Sequence, residues 1–360
     1  MDSRKEVSSS LTLRPCQHQV AGHLFEAGKE GSLVDDLGHF YKPLQPGPRG
    51  ERELAFYKRL FRMFRSSSRT GVQHAGADSS SADDQEEFSC RGEGGESQRT
   101  DAILEFVPRF SGTIETGGRT LLMLKDVGAS YSKPCVIDIK IGYRTWYASA
   151  DERYIARARA KDQATTQASL GFKICGWQVY KHSKGKICRA SKSYCKTMSE
   201  AQVDGAFLDF ADNERGIRSE SVLGMTSGAL PQLLDLRKWF QHQTLFHFYS
   251  SSILIFYEGL ATCPGDLNVR VSMVDFAHTF PVEGNWDDNF LGGLTSLIGK
   301  LQAISEDRNA RQQKRVYRKR SLSNGESVGL SGWLGRPASM TNDRIMGDGV
   351  PTPISSGGET

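Results

Sequence analysis

The sequence predicts an α+β fold of two lobes, and three observations carry that expectation. Strand-like runs bounded by glycine precede an amphipathic helix in residues 23–64. Strand and helix patterns then alternate to about residue 305. Between them a Ser-, Gly- and acid-rich segment at 66–100 interrupts the first lobe without ending it, because patterned sequence resumes on both sides. That segment is too poor in aliphatic residues to offset the entropy of ordering, so it is expected to be an unfolded insertion.

The elements follow in order. In "ERELAFYKRLFRMFR" the residues Leu54, Tyr57, Phe61 and Phe64 stand at 3-4-3 spacing, which predicts a helix with that stripe turned inward. Strands are expected at Leu121–Val127, Cys135–Ile141, Phe172–Tyr180, Ile253–Glu258 and Val269–Asp275. Helices are expected at 151–168, 231–248 and 287–304, the last with Phe290, Leu294, Leu297 and Leu301 on one side. The expected division is an N-terminal lobe at 1–126, a C-terminal lobe at 127–305, and a basic then low-complexity, unfolded tail at 306–360.

Composition narrows the setting. With 38% apolar residues in 360, there is material for two cores. Seven cysteines form no CxxC pair, and no secretory leader is visible, so reduced thiols in nucleus or cytoplasm are expected. No apolar run is long enough to span a bilayer, and no 20–50-residue period repeats. A net charge of +4 assigns no partner by itself; the placement of the charges matters more.

"PCVIDIKIGYRTW" at 134–146 sets Asp138 and Lys140 two apart in an otherwise apolar strand. Residues at i and i+2 share a strand face, so the two charges point the same way. A structural ion pair on a half-solvated face is one reading; a charged ligand completing the pair is the other. Lys42 closes "GHFYK" eleven residues before Glu53, the arrangement of a phosphate-binding lysine held by a helix glutamate, or else of two exposed charges. "VRVSMVDFAH" ends an apolar strand on Asp275, a candidate Mg²⁺ ligand, with His278 either at the site or in the core. In "DERYIARARAKDQATT", Arg153, Arg157 and Lys161 stand four apart on one helix face, with Arg159 off the stripe. Aligned cations suit a small molecule bearing several phosphates, although such a stripe can also be plain solvated surface. A GxxxxGK[ST] loop, GxGxxG, HRD, DFG and zinc-spaced Cys/His clusters are all absent.

These stretches together resemble the inositol polyphosphate kinase family. PCVIDIKIG matches its PxxxDxKxG signature; "SSILIFYEG" at 251–259, "MVDFAH" at 273–278, "HQVAGH" at 18–23 and "KPLQPGPRGERELAFY" at 42–57 are similar to its further motifs. "GYRTWYASADERYI" and "DDNFLGGLTSLI" look most like its compact, plant-like multikinase branch. The resemblance implies a two-lobed inositol-phosphate-kinase fold and an enzyme using ATP and Mg²⁺ to phosphorylate inositol 1,4,5-trisphosphate to the tetrakis- and pentakisphosphate. It places Lys42, with Glu53 beside it, on the ATP phosphates, the backbone of Lys125, Asp126 and Val127 on adenine, and Asp138 on the ribose. It places Lys140 on the transferred phosphoryl group and Asp275 on Mg²⁺. Arg49, Arg153, Arg157, Lys161, Lys192 and His278 are expected to bind the inositol. Lys125-Asp126 stands where the family usually reads Glu-Asp, a departure that backbone reading of adenine should tolerate. A hexakisphosphate kinase or trisphosphate 3-kinase of the same family is the near alternative. A rival of another class is a nuclear scaffold, supported by the basic "KRVYRKR" at 314–320, which could be a nuclear localisation signal, a nucleic-acid patch or a site for nuclear protein partners, or else a solvated tail. No obligate nucleic-acid partner is expected.

Overall fold

The computed structural model describes residues 12–21, 31–67 and 102–323. By contacts, Met1–Asn309 forms one compact unit and Ala310–Thr360 a second. The first unit opens with β1 (Arg14–Pro15), β2 (Leu33–Val34), β3 (His39–Pro43), α1 (Pro48–Ser67), β4 (Phe110–Thr116) and β5 (Arg119–Lys125). These strands form an antiparallel sheet in the order β1-β2-β3-β5-β4. Next come β6 (Pro134–Ile141), α2 (Glu152–Gln163), α3 (Thr166–Leu170), β7 (Phe172–Lys181) and β8 (Lys186–Arg189). Helices α4 (Lys192–Lys196), α5 (Glu200–Phe210), α6 (Ser219–Leu223) and α7 (Ala229–His242) follow. Then come β9 (Phe246–Phe248), β10 (Ser252–Glu258), β11 (Arg270–Val274), β12 (Thr279–Pro281) and α8 (Asp288–Ser323). The second five-stranded sheet runs β11-β10-β6-β7-β8, with β6 at its centre. A third, two-stranded sheet pairs β12 with β9, and the α+β class is the one the patterning predicts.

The sheets divide near residue 126, but the packing does not. Phe56, Tyr57 and Leu60 of α1 share one apolar core with Ile137, Ile139 and Phe276 of the second half. Phe106 ties the halves further, its carbonyl accepting from Met273 N at 2.7 Å and Ser272 Oγ at 2.9 Å.

Several expectations need correcting. The buried stripe of α1 is Glu53, Phe56, Tyr57 and Leu60, about one residue round from the expected one; Leu54 and Phe61 are half-buried. The Phe64 side chain lies outside the described residues, as does the acidic segment beyond Ser67. The helix expected at 151–168 is two. Asp162 turns inward to accept from the Thr145 amide and hydroxyl, and Thr165 Oγ1 bonds back to the Lys161 and Asp162 carbonyls, breaking the helix before α3. The helix expected at 231–248 stops at His242, because Gln243 Oε1 accepts from Leu245 N and Phe246 N. The remaining Phe246–Phe248 pairs with β12. The tail expected to be unfolded from 306 begins as helix, α8 running to Ser323 through a stretch rich in the helix formers Glu, Arg, Gln and Lys. The basic run at 314–320 lies in that helical part, and its side chains are outside the description.

Candidate active site

The signature glycine explains how the site is built. Gly142 sits at φ +105°, and a Cβ there would lie 2.5 Å from Asn289 Nδ2. Asn289 clamps both backbone groups of Arg144, accepting from its N at 3.0 Å and donating to its O at 3.1 Å. So α8 anchors the end of β6 through a contact only glycine admits.

On β6, Asp138 is buried and Lys140 half-buried, both on the face that lines a cavity of about 330 Å³. Phe40, Val127, Val136, Leu254 and Phe256 make one end of that cavity apolar, a slot for a planar ring. Lys42, Asp138, Lys140, Asp275, Arg49 and His278 furnish the other end. A roomier cleft of about 1730 Å³ opens on the far side of the hinge beside Lys58, Arg109 and Arg270; its walls hold none of Lys42, Asp138, Lys140 or Asp275.

Lys42 and Glu53 are not two exposed charges. Lys42 Nζ donates to Glu53 Oε1 at 2.7 Å and to Asp275 Oδ1 at 2.6 Å. Burial alone would lower the Lys42 pKa, but the carboxylates of Asp275 and Glu53 outweigh it and raise the pKa above its ordinary value. Glu53 is itself fully buried and also accepts from Phe276 N at 3.2 Å, so α1 is locked to the turn that carries Asp275. Asp275 stands at φ +67° and Ser250 at φ +58°, left-handed conformations that non-glycine residues adopt only under constraint. Ser251 Oγ supplies part of that constraint by donating to the Asp275 carbonyl at 2.7 Å. Lys140 Nζ donates to the Ser250 carbonyl. Ser250, just before the "SSILIFYEG" stretch, and Ser251, its first residue, therefore orient both a predicted catalytic cation and a predicted metal ligand.

Asp138 Oδ1 is buried without a hydrogen-bond partner. Burial first, and then the field of Asp275, raises its pKa to about 6. An orphaned carboxylate oxygen near a second carboxylate fits a hard divalent cation, which takes oxygen ligands. Among the described residues no group of three or more His, Cys, Asp or Glu could hold a metal alone. Phosphate oxygens would have to complete such a shell, as Mg²⁺ sites on nucleotides require.

At the hinge, Lys125 N donates to Arg109 O and Asp126 N to Gly38 O, both at 2.8 Å. That leaves the Val127 N–H as the hinge donor for a base. The Asp126 carboxylate is likewise spent inside the protein. It accepts from Gly128 N at 2.8 Å and meets His18 Nε2 at 2.8 Å. His18 was not among the expected site residues; it straps residues 12–21 over the apolar slot, and Gly176 leaves room for Val20 behind it. Burial works against His18 protonation, but hydrogen bonds to Asp126 and Cys16 outweigh it and raise its pKa to about 10. A raised histidine pKa contributes stability below its ordinary value of 6.5 that is lost as pH rises through the folded value. The stability difference between wild type and His18→Gln is therefore expected to be full near pH 6 and to vanish as pH rises through about 10. A difference in denaturant midpoint that stays constant over that range removes the charged tie.

The far wall is aromatic and cationic. Tyr154 of α2 stacks on His278, with centroids 6.0 Å apart, and lies under the Arg49 guanidinium at 5.7 Å. Arg52, missed by the sequence reading, donates to Ala277 O at 3.1 Å and covers Phe280. Burial, then Arg49, Arg52 and Lys140, lower the His278 pKa to about 4. His278 is thus neutral at pH 7, suited to a hydroxyl rather than a phosphate. Tyr154, Arg157 and Lys161 stand at i, i+3 and i+7 on one side of α2; Arg157 and Lys161 are exposed, and neither lines the cavity. Arg153 is exposed a further turn away, and Arg159 is held off the stripe over Trp146 at 4.8 Å. Lys192 begins α4, and its side chain lies outside the described residues.

Fold and site together define an α+β protein with two five-stranded sheets and an apolar slot leading into a charged end. The family model for inositol polyphosphate kinase matches residues 121–302. An inositol polyphosphate multikinase alpha of Arabidopsis thaliana is 37% identical over 312 residues, covering 82% of this chain and 96% of its own. A solved inositol phosphate multikinase at 36% identity aligns with TM-score 0.51 over 57% of this chain and 92% of that one. A second, from S. cerevisiae in complex with ADP and Mn²⁺, shares the fold at 20% identity and TM-score 0.54, over 73% and 97%. The chain belongs to the inositol polyphosphate kinase family. No helix among the described residues is long and apolar enough to cross a membrane.

Proposed function

We propose that this protein transfers the γ-phosphoryl group of ATP, with Mg²⁺, to inositol trisphosphate and tetrakisphosphate, forming the pentakisphosphate. The observation that carries this reading is the convergence of Lys42, Glu53 and Asp275 opposite Asp138 and Lys140 at the polar end of a ring-sized slot. The apolar end receives adenine, with the Val127 N–H as donor. Lys42 meets the nucleotide phosphates. Asp275 and Asp138 would hold Mg²⁺, which would supply charge neutralisation at those phosphates. The family resemblance puts Asp138 on the ribose, but the charges around it are those of the phosphate end, so we assign it there. Lys140 faces the transferred group, neutral His278 an inositol hydroxyl, and Arg49, Arg157 and Lys161 the inositol phosphates. Catalysis rests on positioning and charge neutralisation. We place the enzyme in nucleus or cytoplasm, with the basic run at 314–320 as the surface for any nuclear partner.

Incubating the purified protein with ATP, Mg²⁺ and inositol 1,4,5-trisphosphate and resolving the products tests the reading; no product more phosphorylated than the substrate would overturn it. The acceptor wall has its own test. Hydrogen bonds to charged groups contribute roughly 1.5–3 kcal/mol. The Arg157→Ala/Lys161→Ala double variant should therefore raise KM for the inositol phosphate about ten- to hundredfold. The two losses need not add, since both cations share one ligand. KM for ATP should move less than about twofold. If both KM values hold at moderate salt, the stripe is solvated surface.

A further inference from the structure

Directly across the sheet from Lys140 stands a second lysine. Lys173 on β7 is the register partner of Lys140 on β6. Side chains paired in this way share a face, with Cβ atoms about 4.5–5.5 Å apart, and like charges so placed repel. Both lysines are half-buried, where unpaired charge is costlier still. Lys140 is tied to the Ser250 carbonyl, whereas Lys173 has no ion pair among the described residues. Burial first, and in the same direction the fields of Lys140 and Lys161, lower the Lys173 pKa. The nearby groups offset this only in part. Asp162 acts in the opposite direction, but its carboxylate oxygens are engaged by Thr145 and it forms no ion pair with Lys173. The Cys175 thiol is pushed up to about 12, chiefly by burial, and is neutral at pH 7.

Lys140 and Lys173 thus face each other across the strands with neither in an ion pair among the described residues, an arrangement that an anion from outside would relieve. We infer that Lys173 binds a phosphate of the acceptor, the one carried by the ring carbon next to the hydroxyl being phosphorylated. The inference rests on the function proposed above. If Lys140 marks the reacting hydroxyl, a lysine one strand spacing away, about 4.8 Å, reaches the neighbouring substituent. Lys173 is then a specificity determinant that favours acceptors with a phosphate vicinal to the accepting hydroxyl.

The test uses Lys173→Met, which keeps most of the length and removes the charge, and Lys173→Arg, which keeps the charge. Wild type is assayed first with inositol 1,4,5-trisphosphate, then all three proteins for ligand-free melting temperature and for both KM values. The Met variant is expected to melt no lower than wild type, because a like-charge pair has gone. Its KM for the inositol phosphate should rise about ten- to hundredfold. KM for ATP should stay within about twofold, and the Arg variant should recover most of the loss. Wild type without turnover overturns the proposed function and this inference with it. Turnover by wild type with an unshifted acceptor KM in the Met variant overturns this inference alone, as does a rise confined to the ATP KM. A Met variant that melts well below wild type or fails to fold, with the Arg variant normal in stability and acceptor KM, assigns Lys173 to structure and also overturns it.

Discussion

Lys140→Ala is expected to lower kcat by about 10²–10³ while the protein stays folded. Removing a preorganised group aimed at charge that develops in the transition state typically costs that much. Lys140 meets the description: its Nζ is anchored on the Ser250 carbonyl, at the polar end of the cavity that holds Lys42 and Asp275. Alanine removes a cation that faces another lysine across the sheet, so little packing is lost and the melting temperature should hold. KM for ATP should change less than kcat, since Lys42 and the hinge hold the nucleotide. Turnover within a few-fold of wild type would take Lys140 out of the mechanism.

Asp275→Asn should be comparably severe, and raising Mg²⁺ should restore only part of the activity. A neutral amide is a poorer ligand for a hard cation than a carboxylate. Asparagine is the right probe because it tolerates the left-handed conformation that Asp275 adopts at φ +67°, so the turn itself survives. The substitution also weakens the 2.6 Å contact that fixes Lys42, leaving Glu53 as its remaining carboxylate. An unchanged Mg²⁺ dependence would show that Asp138, or phosphate oxygens alone, holds the metal.

Much of this site is legible along the chain because its parts are local. Period-two alternation puts Asp138 and Lys140 on one face, and an eleven-residue step carries Lys42 to Glu53. Helical spacing sets Arg157 and Lys161 together and leaves Arg159 aside. Each follows from backbone geometry within a single element or between neighbours. The inward face of α1 was less legible. Leu54, Tyr57, Phe61 and Phe64 satisfy helical spacing, yet packing against Phe276 and Phe246 selects Phe56, Tyr57 and Leu60 and buries Glu53 with them. A helix whose apolar residues go most of the way round has more than one candidate inner face.

By itself, then, the sequence determined the α+β class, the principal strands β5, β6, β7, β10 and β11, and the chemical identity of the charges on β6, β3 and α2. What only the tertiary structure decided is which of those charges meet. Lys42 reaches Asp275 across 233 positions, His18 reaches the hinge carboxylate of Asp126, and Lys173 faces Lys140 through strand register. His278 is neutral because it is partly buried and then because Arg49, Arg52 and Lys140 crowd it. Side-chain period is a property of one strand or helix. Register, burial and the sign of the local field belong to pairs of segments, and exist only once the chain has closed on itself.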